Sequence, residues 1–482
     1  MAAIEVLPDD VLLAIFDFCV AVNQDFPESG GHAFLLVEKQ ELQNTKRKIE
    51  SWQSLVHVCQ RWRGLVFGSS RRLDLQLFCI PGTPAGKTVD VWPALPLLIK
   101  GNISETSADN DVDVLEHSNR IRQINITCDT SSQIEQVWAA MQVPFPELTV
   151  LKLQSLGEPV SILLPNSFLG GSAPPLRHLG LFGISYLGLP NLLMSATHLV
   201  ELHLYDIPHS VYISPEAMVI CLSVLTSLEI LSLGFESPQS CPDQESQRPS
   251  QPTRSSLPSL MCLVFKGAYE YLEELVTRID APRCHWFSPA FFNDIDFDTP
   301  ELIQFISRTP PLGRAYDEVH LIFDSPAALV RLQLHPELSR HTMIQVEILC
   351  QVPNWQLSSL AQICNLPLRL FLTMEYLYIY EDQYSQIYWE DDIDFTEWLE
   401  LLLPFTAVKN LYLSKQFAPR IAPALQELTM DRTTEVLPTL QNLFLEGSLP
   451  SEPIQGGIRQ FISARQLINR PVAISVWERH SE

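Results

Sequence analysis

The chain has no Cys-x-x-Cys pair, although its 482 residues include 10 cysteines. A zinc cluster needs thiolates paired at short spacing, and a small secreted scaffold needs a dense cysteine framework. Scattered thiols point instead to reduced, mostly buried side chains. Basic residues are scarce, 32 against 56 acidic ones, for a formal charge of −24. That excess repels phosphate and excludes nucleic acid bound by the whole surface. No apolar run reaches the roughly eighteen residues that cross a bilayer, and the stretch Val11–Val22 is broken by Asp17. Residues Met1–Glu5 lack the positive start of a secretory signal. The expectation is a cytoplasmic or nuclear chain with no membrane partner.

Catalytic wording is missing too. There is no Gly-x-Ser-x-Gly elbow, His-Glu-x-x-His pair or glycine-rich dinucleotide loop. Pro81–Thr88 ends in Gly-Lys-Thr, but Pro81 stands where the first glycine of a phosphate loop belongs, and proline removes amide donors. Asp294, Asp296 and Asp298 alternate without the glycine of a calcium loop, and read as the acidic approach to a helix opening at Thr299-Pro300. Glu381–Glu400 interleaves carboxylates with Tyr384, Tyr388, Trp389, Phe395 and Trp398 and has no base. It reads as a solvated face, or as a patch for a basic partner where the aromatics are exposed. No catalytic residue, metal ligand or cofactor is expected, and the chain reads as a non-enzyme.

Two short amphipathic segments open the chain. In Leu7-Pro8-Asp9-Asp10-Val11-Leu12-Leu13-Ala14-Ile15-Phe16, proline and two acids suit the start of a helix, and Leu12, Ile15, Phe16 and Cys19 fall on one apolar stripe. Leu55, Val58, Cys59, Trp62, Leu65 and Val66 repeat the spacing in Trp52–Val66. Each helix must bury its stripe, against the other or against a partner. The joint wording Leu-Pro-x-x-x-Leu-Leu-x-Ile-Phe and Val-Cys-x-x-Trp-Arg resembles the two halves of an F-box, here separated by an insertion at about 21–50. The resemblance implies docking on the Skp adaptor of a cullin ubiquitin ligase. It assigns Leu7, Pro8, Leu12, Leu13 and Phe16 to the first adaptor-facing segment and Leu55, Val58, Cys59, Trp62 and Leu65 to the second. Which of them instead form the domain's own core is left open by the sequence. The whole chain also resembles a fungal, basidiomycete-like family of F-box proteins in Val89–Leu97 and Ile295–Pro300, a likeness that implies no particular substrate.

The rest of the chain repeats Leu-x-x-Leu-x-Leu. It occurs at Leu148/Leu151/Leu153, Leu176/Leu179/Leu181, Leu199/Leu202/Leu204, Leu228/Leu231/Leu233, Leu260/Leu263/Phe265, Val408/Leu411/Leu413 and Leu440/Leu443/Leu445, with a looser start at Ile121/Ile124/Ile126. Alternation makes a short strand with one buried face, and each coil can bury its leucines only against its neighbours. The Asn or Cys that usually follows the strand is absent, Leu156, Ile184, Ile207, Glu236, Ala268, Gln416 and Ser448 standing there instead, so an irregular solenoid is expected. Between 282 and 400 the repeat is faint. Tyr316/Val319/Leu321 and Met343/Val346/Ile348 fit loosely, and a mixed α+β substructure is the alternative.

The expected fold is α/β: a small all-α F-box at 1–75, a connecting segment at 76–119, and an irregular leucine-rich-repeat solenoid at 120–482, strands concave and helices convex, with a proline-rich mobile loop at 237–256. The expected function is recognition of a protein substrate for a ubiquitin ligase. Candidate substrate contacts are the x positions of the strands: Lys152, Gly180, His203, Ser232, Val264, Tyr412 and Phe444. The rival is a scaffold whose F-box-like helices only cap the first coil.

Overall fold

The computed structural model describes residues 7–21, 52–79, 89, 94–103, 113–156, 165–184, 189–208, 212–237, 254–292, 299–325, 327–334, 342–350, 352–366, 369–382, 395–428, 434–447 and 452–479. The insertion at 22–51, the Gly-Lys-Thr wording at 81–88, the carboxylates at 294–298, the stretch 238–253 and the acidic residues 383–394 lie outside the described residues. The chain divides into two units, Met1–Glu201 and Leu202–Glu482.

The first unit begins with the helices Asp9–Ala21 and Gln60–Gly68 and a helical turn at 52–56. Strands β1 (Leu77–Cys79), β2 (Leu97–Ile103), β3 (Ile121–Cys128), β4 (Val150–Ser155) and β5 (His178–Phe182) follow, side by side in chain order and all parallel. Parallel neighbours require a crossover between them. The helix Ser131–Ala140 supplies one, burying Ile134, Val137 and Trp138. Its start is fixed by the Gln133 side-chain oxygen, which accepts from the backbone N–H groups of Asp129 and Thr130 at 2.8 and 3.0 Å. Segment 76–119 is more than a connection, because it contributes β1 and β2. Leu97, Leu98 and Ile99 are consecutively buried, so this strand has no alternating pattern to betray it in the sequence.

In the second unit the strands are β6 (Glu201–Ile207, whose first residue closes the first unit), β7 (Ile230–Phe235), β8 (Ser255–Ser256), β9 (Cys262–Gly267), β10 (Ile279–Asp280), β11 (Trp286–Phe292), β12 (Glu318–Phe323), β13 (Ala327–Gln333), β14 (Met343–Leu349), β15 (Tyr376–Glu381), β16 (Asn410–Leu413), β17 (Asn442–Glu446) and β18 (Ala473–Trp477). Their order is β6-β7-β9-β11-β14-β13-β12-β15-β16-β17-β18, with β8 and β10 as a separate pair. The repeat leucines fill the interior: Leu231, Leu233, Leu263, Phe265, Leu411, Leu413 and Leu443 are sealed from solvent.

The regular coil is interrupted where the repeat faded. Strand β14 takes the place beside β11, β13 runs antiparallel between β14 and β12, and β15 resumes the parallel run beside β12. Val319 and Leu321 point inward as read, but the frame Met343/Val346/Ile348 mixes the two faces of β14, whose inward residues include Ile344 and Ile348. The splice leaves an apolar cavity of about 20 Å³ bordered by Phe291, Leu302, Ile306, Val330, Leu332 and Ile344. It has room for about one water and offers no polar partner, so it stays dry.

Left-handed residues turn the chain where the Asn or Cys ladder is missing. Gly183 (φ 65°) follows β5 and Gly447 (φ 76°) follows β17, a conformation that glycine adopts without steric cost. Among the described residues no helix is long and apolar enough to cross a membrane, and all cysteines are free.

Candidate functional site

The N-terminal helical pair is assembled around aromatic packing. Phe16 meets Trp62 edge to face at 4.8 Å, and Trp52 meets Phe67 at 6.3 Å. Leu12, Phe16, Val56 and Val66 form the interior, Leu12 being 1% and Phe16 0% exposed. At the start of the first helix Pro8 gives its carbonyl to the Leu12 N–H at 3.0 Å. Arg61 then staples the helices, its guanidinium donating to the Asp9 carboxylate and the Leu7 carbonyl, both at 2.6 Å. The Cys59 sulfur accepts from the Trp62 N–H at 3.5 Å and caps the second helix.

This packing sorts residues that the sequence left together. Of the stripe Leu12, Ile15, Phe16 and Cys19, only Leu12 and Phe16 face inward, while Ile15 and Cys19 are exposed. Of the expected adaptor-facing residues, Pro8, Val58 and Cys59 lie at the surface, whereas Leu7, Leu13, Leu55, Trp62 and Leu65 are half-buried. A second stripe, Val11, Ile15 and Phe18, spaced i, i+4, i+7, runs along the outside of the first helix. Phe18 is 71% and Val58 57% exposed, so this small pair displays large apolar side chains after its own core is filled. The spacing was present in the sequence, but nothing there showed which stripe was already taken.

The second candidate is the outward face of the sheet in the second unit. Register brings Gln345, Arg331, His320, Tyr378, Tyr412, Phe444 and Ser475 into one row across β14, β13, β12, β15, β16, β17 and β18. Four of these rings stack: His320 on Tyr378 at 4.4 Å and 6°, Tyr378 on Tyr412 at 4.3 Å and 15°, and Tyr412 on Phe444 at 4.3 Å and 5°. The spacing follows from the strand separation, so side chains in register on parallel strands have little choice but to stack. Stacked rings present their edges and hydroxyls outward.

The polar end of the row is buried or half-buried and hydrogen-bonded. Gln345 accepts from Arg331 Nε at 3.1 Å, and Gln333 donates to Glu318 at 3.1 Å and lies 2.7 Å from His320 Nε2. Glu318 sits 3.7 Å from the same imidazole. Burial, then the nearby Glu318 charge, holds the Tyr378 phenol well above its ordinary range, and burial also raises Tyr412. Both hydroxyls are therefore protonated.

Tyr412 and Phe444 thus belong to one surface feature. His203 and Ser232 lie at the other end of this unit's sheet, where His203 Nδ1 and the Ser232 hydroxyl are 3.0 Å apart. Ser232 is only 2% exposed, so it supports His203 and does not face solvent as its x position suggests. Val264, beside Ser232 in register, is half-buried. Lys152 belongs to the first unit, between Asn125 and Gly180, and Gly180 is itself buried. His320 is the x position of the loosely fitting frame Tyr316/Val319/Leu321 and was not carried among the candidate contacts, and Tyr378 lies in no frame read from the sequence. The acidic segment is corrected at Trp398, which the helix Phe395–Leu402 buries completely, while Phe395 stays exposed. Among the described residues no group of His, Cys, Asp or Glu is arranged to hold a metal.

No family profile matches the chain, and no curated protein matches it. Among solved structures it is similar to the leucine-rich repeat-containing protein LegL7 from Legionella pneumophila, at 12% identity, covering 80% of this chain and 97% of that one, with a TM-score of 0.26.

Proposed function

We propose that the chain is a non-catalytic adaptor. Its helical pair docks on the Skp-type adaptor of a cullin ubiquitin ligase, and the outward sheet face of its second unit holds a protein substrate. The observation that carries the reading is the division of labour in the helical pair: Leu12, Phe16, Val56 and Val66 suffice for its core, yet Val11, Ile15, Phe18 and Val58 remain outside as an apolar surface. An exposed patch of this kind on a helical pair suits a protein partner. The mechanism is proximity, since holding substrate close to the charged ubiquitin carrier raises its effective concentration.

The test is co-expression with a Skp-type adaptor and pull-down of the native chain beside an Ile15→Asp/Phe18→Asp variant. Both substitutions sit on the outside of the helix, so the variant keeps its circular dichroism spectrum and loses the adaptor. No capture by the native chain would favour a second reading, in which the helices only cap the first coil. The ion pair between Arg122 on β3 and Asp74, 3.2 Å long, ties the helical region to the sheet as such a cap requires.

A further inference from the structure

Among the described residues strand β18 pairs with β17 alone, placing Trp477 opposite Glu446. The Trp477 ring nevertheless reaches past β17. Its indole N–H donates to the Leu413 carbonyl of β16 at 3.4 Å, and its ring meets Tyr412 edge to face at 5.4 Å and 82° and Tyr378 of β15 at 6.3 Å and 68°. Two residues on, the Arg479 guanidinium lies 4.4 Å from the centre of the Tyr380 ring, also on β15. Glu478 between them is exposed. The segment therefore doubles back over the aromatic ladder, seating an aromatic side chain and a cation at alternate positions of an extended backbone.

The surface explains this choice of residues. Tyr376, Tyr378 and Tyr380 share one face of β15, and the ladder's ring edges suit edge-to-face contact with an incoming ring. Tyr380 offers its face to a cation, and Glu381, Asp382 and Glu446 stand at the same end of the strands. Backbone pairing already joins β18 to β17, so the reach of the Trp477 ring to β16 and β15 is an addition to the edge pairing.

We propose that this face is a docking groove for an extended segment carrying a tryptophan-like ring and, two residues on, an arginine, and that Trp477 and Arg479 occupy it in cis until a partner's segment displaces them. The proposal rests on the reading that the sheet face receives a protein, and it names the chemistry of that protein. A tethered segment competes at an effective concentration of about 1 mM, so the free chain binds such a partner weakly until the tail is removed.

The probe is a fluorescein-labelled peptide copying residues 475–482. Fluorescence anisotropy is followed on the full native chain and on a full-length Trp477→Ser/Arg479→Ser variant. The variant is expected to bind at least about tenfold more tightly than the native chain. Binding is expected to disappear when Tyr380→Ala is added or when the peptide's arginine is replaced by glutamate. Equal affinity for both chains, or no binding to a variant whose circular dichroism is native, overturns the proposal. Should the variant not fold, the native chain labelled with 5-fluorotryptophan decides. Its Trp477 fluorine resonance, assigned with Trp477→Phe, moves under saturating peptide if the tail is displaced and stays fixed if the tail is a structural cap. Adaptor pull-down of the same samples reads the helical pair separately, so lost peptide binding with adaptor binding intact counts against the groove alone.

Discussion

Tyr412 is the keystone of the ladder, and replacing it by alanine measures what stacking contributes. The ring lies 4.3 Å from both Tyr378 and Phe444 and meets Trp477 at 5.4 Å. Aromatic pairs contribute about 0.5–1.5 kcal/mol each beyond the area they bury, so Tyr412→Ala is expected to cost about 3 kcal/mol. Phe444→Ala removes a single stack, because the next residue in register is Ser475. In a double-mutant cycle the shared stack appears as a coupling of about 1 kcal/mol. Tyr412→Phe keeps all the ring contacts and loses only the hydroxyl, a change of about 0.5–1.5 kcal/mol. The assay is equilibrium urea denaturation of the full chain with its single and double variants. A coupling below about 0.3 kcal/mol, or a Tyr412→Phe variant as damaged as Tyr412→Ala, would refute the view that ring stacking holds this face rigid.

Within the helical pair, Phe16→Ala is expected to destabilise by about 3–5 kcal/mol and Phe18→Ala by under about 0.5 kcal/mol, read from thermal melts; the reverse order would invert the assignment of core and surface. Burial, with Asp324 adding to it, raises the Glu347 carboxyl above its usual value, while Lys266 opposes the shift. The folded state thus prefers the protonated form, and Glu347's contribution to stability is complete at acid pH and lost as pH rises through the raised value. Glu347→Gln should therefore melt higher than the native chain at neutral pH, with the difference closing as pH falls through the carboxylate range. Gly64 is exposed inside a helix with nothing near its missing side chain, so Gly64→Ala should stabilise by about 0.5–1 kcal/mol. Gly183→Ala should destabilise by about 1–2 kcal/mol or more, because at φ +65° the new Cβ would stand 3.1 Å from the Ser155 carbonyl oxygen. Melting temperatures of the two alanine variants, compared side by side, check both signs.

Period-two leucines are a local signal, and they alone located β3 to β7, β9, β16 and β17 with their inward residues, because alternation decides which side chains share a face whatever lies next to the strand. The opening of the first helix was equally legible, since Pro8, Asp9 and Asp10 act on their own turn. Strand direction carries no such mark. The antiparallel β13 reads like any apolar strand, and only the neighbours on either side settle that β14 and not β12 lies beside β11. The helical pair likewise offered two apolar stripes, and contact with Trp62 assigned Phe16 to the interior and left Phe18 outside. The aromatic ladder belongs wholly to tertiary structure. His320, Tyr378, Tyr412 and Phe444 are far apart along the chain, and they meet because strand register converts equal positions in separate strands into adjacent rings.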